Sequence, residues 1–212
     1  NRGGCAQVCR WIFDITGTDI PYCITPKDLN MVKYIEDMMS IGVNSFKIEG
    51  RMRSVYYVAT VINVYRNIID KIKTKTLSSA YIRYYQDILI RCAARESKAQ
   101  FYDKLPTASE QYFLGRSEEA NQDFIGLVVD YDEDKKQIIL QMRNYFKIGD
   151  TLEIFGPKTK VQTIKVEKMY DADDQDLQVA CHPQMIVKIP TNIRAFKDDI
   201  LRVKVFDISD YL

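Results

Sequence analysis

The chain has 212 residues, 46% of them apolar and 28% charged, which is enough to bury one good core or two small ones and excludes wholesale disorder. Thirty basic against twenty-nine acidic side chains leave a formal net charge of +1, which argues against a polybasic nucleic-acid coat or an acidic tail. The charge is unevenly spread: residues 1–106 hold 16 Lys and Arg against 10 Asp and Glu, net +6, while residues 107–212 hold 14 against 19, net −5, as two differently charged domains would.

From Asn1 to Trp11 the chain packs two Gly, two Cys and two Arg into a loop suited to holding something other than a core. Thr25-Pro26-Lys27-Asp28 then reads as a helix start, with Thr as N-cap and Pro at the first helical position, and Leu29, Val32, Ile35 and Met39 follow near a helical period. Gly42 is placed to end that helix, about 26–41, in a left-handed turn. Val43–Ile48 predicts a short strand, and Ser54 caps a second amphipathic helix with Val58, Val61, Ile62, Tyr65, Ile68 and Ile69 on one face. Helix, strand, helix favours a parallel sheet, whose single strand requires neighbours supplied from elsewhere. A tyrosine-rich helix spans about 79–97, and Lys104, Pro106 and Thr107 mark a linker that divides the chain near residue 105. Beyond it the period changes to short β-prone runs at 124–130, 137–142, 151–155, 161–166, 177–181, 185–189 and 201–205, spaced as in a small antiparallel barrel.

No run approaches the roughly 18 to 20 apolar residues of a membrane helix, and no charged leader opens the chain, so a soluble, cytoplasmic protein without membrane contact is expected. Five cysteines, Cys5, Cys9, Cys23, Cys92 and Cys181, make a poor disulfide framework. Cys5 and Cys9 lie beside Arg2 and Arg10, which favour thiolates and hence soft-metal binding, with Cys23 as a third donor; free cysteines in a loop are the alternative. In Ser45-Phe46-Lys47-Ile48-Glu49-Gly50-Arg51-Met52, charges alternate where the strand would end, the place where parallel α/β folds build sites. Lys47, Glu49 and Arg51 either face an anionic substrate and position a proton donor, or close a barrel as an internal ion-pair network. The single histidine, His182, adjoins Cys181, so the two would point to opposite faces of a strand and form no nucleophile and base pair. The loop opening at Asn1 also lacks an initiator Met, as a fragment of a longer protein would.

Three stretches carry a family resemblance: Asn1–Arg10 meets N-R-G-x-C-x-Q-x-C-R, Gly42–Met52 meets G-V-x-S-x-K-I-E-G-R-M, and Tyr57-Val58-Ala59 follows with Ile62, Tyr65 and Arg66. Together they resemble the collagenase-like peptidase family U32. Phe124-Ile125-Gly126, Arg143-Asn144-x-Phe146 and Gly149–Glu153 resemble its C-terminal domain, so the likeness covers most of residues 1–166. The resemblance implies an α/β part followed by an all-β part: residues 1–105 as the C-terminal portion of a (β/α) barrel, and residues 106–212 as a small antiparallel β-barrel of translation-factor type.

Members named as proteases stand beside relatives that hydroxylate RNA bases, making 5-hydroxyuridine in tRNA, or a ubiquinone precursor. The leading expectation is tRNA base hydroxylation by the complete protein. Peptide-bond hydrolysis on a protein substrate and a non-catalytic binding or oligomerising module are the alternatives, and the 212 residues alone are expected to be inactive. The oxygen-inserting branches imply a four-iron four-sulfur cluster in the complete protein. Two of its cysteines belong upstream of N-R-G, Cys5 matches a third with Cys9 nearby, and the fourth belongs to a D-L-C motif. Here Asn30 follows Asp28-Leu29, so that thiolate is missing, and either Cys23 substitutes or the cluster is lost or altered. Exposed edges of a partial barrel would pair with a partner, a second copy or the missing N-terminal portion, and tRNA or another RNA is an expected partner of the complete protein.

Overall fold

A computed structural model of the chain describes every residue except 1–3, 5, 7, 20, 51, 52, 94, 95 and 112–121. The chain divides into two compact units, Asn1–Lys47 with Ile68–Ala120, and Ile48–Asn67 with Asn121–Leu212. Among the described residues no helix is long and apolar enough to cross a membrane.

In the first unit, β1 (Ile12–Phe13) and β2 (Tyr22–Cys23) form a short antiparallel pair, and β3 (Asp28–Leu29) pairs in parallel with β4 (Ser97–Lys98). The helix expected over 26–41 starts later, as a 3-10 turn at Val32–Tyr34 running into α1 (Ile35–Ser40). Its expected cap is engaged elsewhere: the Thr25 hydroxyl donates to the Cys9 carbonyl, Pro26 bridges to Gln111, and residues 28–29 are held extended in the parallel ladder. Helical turns begin only where Asn30 Oδ1 accepts the Val32 N–H at 3.1 Å. Gly42 ends α1 as expected, with φ of +94° and the N–H groups of Gly42 and Val43 donating to the carbonyls of Met39 and Met38.

The expected strand at Val43–Ile48 does not form. A parallel strand exists only through hydrogen bonds to a neighbour, and among the described residues none pairs with this run, whose Val43 and Ile48 are exposed. The parallel β3–β4 pair therefore stands, among the described residues, where the resemblance implied successive barrel strands. α2 (Val55–Lys73) starts where expected, with Ser54 Oγ accepting the Tyr57 N–H at 3.2 Å. Its buried residues include Tyr56, Thr60, Val64 and Ile68, one per helical turn, with Val61 beside them, and Ile62 is turned outward. α3 (Ser79–Cys92) is capped by Ser78 and buries Ala80, Tyr85, Ile88 and Leu89; it ends at Ala93, whose backbone is extended, short of the expected 97.

A 3-10 turn at Ala108–Glu110 follows, and its carboxylate caps its own start. Glu110 accepts the Thr107 N–H at 2.6 Å, the Thr107 hydroxyl at 2.9 Å and the Ser109 hydroxyl at 2.8 Å. These bonds, the backbone one foremost, pull its carboxyl from the ordinary 4.5 down to about 2. The ordinary value returns on unfolding, so the stability Glu110 contributes is complete above about pH 4.5 and is lost as pH falls toward 2. Chemical denaturation of the chain at pH 5 and pH 3 should show that loss, and Glu110→Gln should flatten the dependence over this window; an equally steep dependence in the variant would remove Glu110 as its source.

The second unit is β-rich, with strand positions close to those read from the sequence. β5 (Phe124–Asp132), β6 (Gln137–Met142), β8 (Thr151–Phe155), β9 (Gln162–Lys165), β11 (Ile186–Pro190) and β12 (Ile200–Val203) form one curled antiparallel sheet in the order β11-β6-β5-β12-β8-β9. β7 (Phe146–Lys147) pairs separately with β10 (Val179–Ala180). Register shifts at Val128/Asp130 and Leu201/Arg202 supply the local bending that a curled sheet requires. Inside it Ile125, Ile138, Leu140, Phe146, Leu152, Ile154, Val187 and Leu201 are wholly buried. Gly126 lies on β5 where a Cβ would come within 2.4 Å of the Gln141 carbonyl oxygen, so the strand pair closes only with glycine there.

Candidate functional site

The thiol-rich opening is only partly within the described residues. Cys9 is exposed in a 3-10 turn at Val8–Arg10, and Cys5 lies outside the described residues. Cys23 is buried on β2, and its Sγ donates to the Cys9 carbonyl and to Thr25 Oγ1, each at 3.2 Å. Thr25 donates to the same carbonyl, so one backbone oxygen receives both side chains. This triad fastens the loop to the β1–β2 pair. No spacing rule links residues 9, 23 and 25, and sequence reading passed over Thr25 except as a helix cap.

Asn30 has an equally local task. Besides capping the turn at Val32, its Nδ2 donates to Ser97 Oγ at 3.3 Å and its N–H to the Lys98 carbonyl at 3.0 Å, tying β3 to β4. Among the described residues no group of three or more His, Cys, Asp or Glu side chains could hold a metal ion. Of the donors read from the sequence, Cys9 is exposed, Cys23 is hydrogen-bonded to the Cys9 carbonyl and Thr25, and Asn30, standing where a thiolate was expected, is held by Val32 and Ser97.

Lys47 and Glu49 are exposed, on a segment that is neither helix nor strand, and Arg51 lies outside the described residues. What positions Glu49 is the glycine after it. A Cβ on Gly50 would come within 2.8 Å of Val58 Cγ2, so the backbone rests against the first turn of α2, and the Arg53 N–H closes a turn on the Gly50 carbonyl at 2.9 Å. Arg53 lies over the Tyr57 ring, 4.9 Å from its centroid. The Gly50–Arg53 bond stands just before Ser54, whose hydroxyl caps α2. Cys181 and His182 are both exposed just past β10. The α3 tyrosines pack on one another and on Lys71, whose Nζ stands 3.6 Å from the Tyr81 centroid, so this ring face is taken by the protein itself.

Residues 1–112 match the family described as Peptidase family U32, and residues 120–202 match the Peptidase family U32 C-terminal domain. Over 214 residues the chain is 37% identical to tRNA hydroxylation protein P1 of Bacillus subtilis (strain 168), covering 95% of this chain and 51% of that protein. It is 30% identical over 178 residues to a collagenase of Porphyromonas gingivalis, covering 80% of this chain and 49% of that one. To tRNA hydroxylation protein P of Haemophilus influenzae it is 28% identical over 168 residues, covering 75% of this chain and 34% of that protein. The chain spans about half the length, or less, of these curated relatives.

Proposed function

The chain belongs to peptidase family U32, and on that premise we propose that it is part of a protein that hydroxylates a tRNA base, uridine at C5. The observation that carries this reading is the 37% identity, extending over 95% of the chain and hence over both halves, to a tRNA hydroxylation protein. In the proposal residues 1–105 complete a (β/α) barrel, residues 106–212 form the appended β-barrel, and the tRNA substrate implies the cytoplasm.

Lys47, Glu49 and Arg51 are assigned to the substrate. The charges alternate along Lys47, Glu49 and Arg51 within the stretch that carries the family motif, which supports that role. Lysine and arginine at this lip would take phosphate oxygens, and Glu49 would orient or protonate the base. An iron–sulfur cluster in the complete protein would draw thiolates from outside these residues, since Asn30 stands where the family resemblance places a cysteine.

The test is complementation. A Bacillus subtilis strain lacking its tRNA hydroxylation protein P1 and supplied with the complete protein is expected to regain the hydroxylated uridine in a nucleoside digest analysed by mass spectrometry. Accumulation of the protein without the nucleoside overturns the proposal. The 30% identity to a collagenase supports a second reading, hydrolysis of a protein substrate. Gelatin degraded by the purified complete protein, and spared by its Glu49→Gln variant, would favour that reading over RNA modification.

A further inference from the structure

In the β-rich unit one buried carboxylate clasps two loops that are far apart in sequence. Asp199 has no exposed surface; its Oδ2 accepts the Thr159 hydroxyl and, at 2.9 Å, the Phe196 N–H. Its Oδ1 lies where a Cβ on Gly156 would come within 1.8 Å, so glycine there is what admits the carboxylate. The Gly156–Thr159 turn is closed on itself by reciprocal backbone bonds of 2.9 and 3.3 Å. Asp199 therefore fixes the turn carrying Lys158 relative to the loop carrying Arg194 and Phe196.

The clasp brings two cations to one ring. Lys158 Nζ stands 5.6 Å and the Arg194 guanidinium carbon 5.5 Å from the centroid of half-buried Phe196. Lys160 and Lys197, both exposed, extend the same two loops. Against these cations stand exposed Asp198 and Glu133, of which Glu133 pairs with Arg194 at 2.8 Å. Among the described residues no carboxylate pairs with Lys158. Lys135 and Lys188 of the same unit are both held by Asp174. Cations gathered on a rigid frame repel one another, and a bound polyanion is what relieves that repulsion.

We propose that the face formed by Lys158, Lys160, Arg194 and Lys197 around Phe196 docks the phosphodiester backbone of RNA, with the ring available to a base edge. The choice of RNA as the polyanion rests on the tRNA reading above. The test titrates the full chain with unfractionated tRNA across a range of salt. Lys158→Glu/Arg194→Glu is expected to weaken binding on the order of tenfold and to make the log–log salt dependence shallower by roughly 1.5, as for two lost phosphate contacts. Lys147→Glu/Lys168→Glu, with the same change in net charge, is expected to do neither, and unchanged thermal unfolding shows that both variants are folded.

Equal behaviour of the two variants overturns the proposal, as does absence of tRNA binding by the intact chain. Displacement of tRNA by poly-L-glutamate at matched charge concentration also overturns it, in favour of an acidic protein partner. The outcomes separate from those of the functional reading. A complete protein that binds tRNA through this face yet leaves its uridines unmodified keeps the docking surface and loses the chemistry. One that modifies tRNA while Lys158→Glu/Arg194→Glu binds it unchanged does the reverse.

Discussion

Replacing Arg202 by Met is expected to cost the β-rich unit about 3–5 kcal/mol, because it strands a buried charge. Arg202 and Glu153 face each other across β12 and β8, and both side chains are 7% exposed. The guanidinium donates through Nε at 2.8 Å and through Nη2 at 2.7 Å, both to Glu153 Oε2, and lies over the Phe155 ring, 4.9 Å from its centroid. The attraction within this pair is large, and so was the cost of removing both charges from water, so the pair's net worth is small while either half alone is expensive. Glu153→Leu/Arg202→Met should therefore recover most of the loss and can exceed the parent in stability. Urea denaturation of the four chains of this double-mutant cycle measures it. A single variant within 1 kcal/mol of the parent would show that water reaches the pair and that the charge is never stranded.

Phe146→Ala should lose about 3–5 kcal/mol through the cavity it opens. Phe146 has no exposed surface, sits on β7, and lies opposite Ala180 on β10, where a small residue leaves room for the ring. Few side chains nearby can move into the gap, because Leu140, Met142, Leu152 and Val187 are fixed on the strands of the sheet. The adjacent Tyr145 is 52% exposed, and Tyr145→Ala should change stability by less than about 0.5 kcal/mol. Comparable losses at the two positions would mean that the alternation of inward and outward residues does not hold there.

The β-rich half was readable because its signals are local. Alternating burial along β6, Gly149 and the turn residues between strands are properties of neighbouring positions, and they gave strand bounds that agree with the sheet to within a residue or two at most positions. α2 was readable for the same reason, through Ser54 and a 3.6-residue repeat, and α3 through its repeat alone, the Ser78 cap being seen only in the structure. The misreadings fell where a local preference competed with a distant partner. Thr25-Pro26 has the chemistry of a helix start, yet its hydroxyl and backbone are taken by Cys9 and Gln111, and Asp28–Leu29 by a strand some seventy residues away. Val43–Ile48 has the composition of a strand, but composition supplies no neighbour.

The candidate site divides along the same line. The motifs holding Cys5, Cys9, Lys47, Glu49 and Arg51 are contiguous, and contiguous residues suffice to place the chain in its family. That Asn30 interrupts a thiolate set was also visible in the sequence; that its amide caps a turn and ties β3 to β4 was not.

Local patterning by itself determined most element types, the change of period between the two halves and the family, because hydrogen-bonding preference and side-chain alternation act over a few residues. Only the tertiary structure decided which strands are neighbours, that Arg202 meets Glu153, and that Asp199 draws Lys158 and Arg194 to one ring. The Arg202–Glu153 and Asp199–Thr159 pairings join residues 49 and 40 positions apart, and their energy appears only once the intervening chain has folded and excluded water.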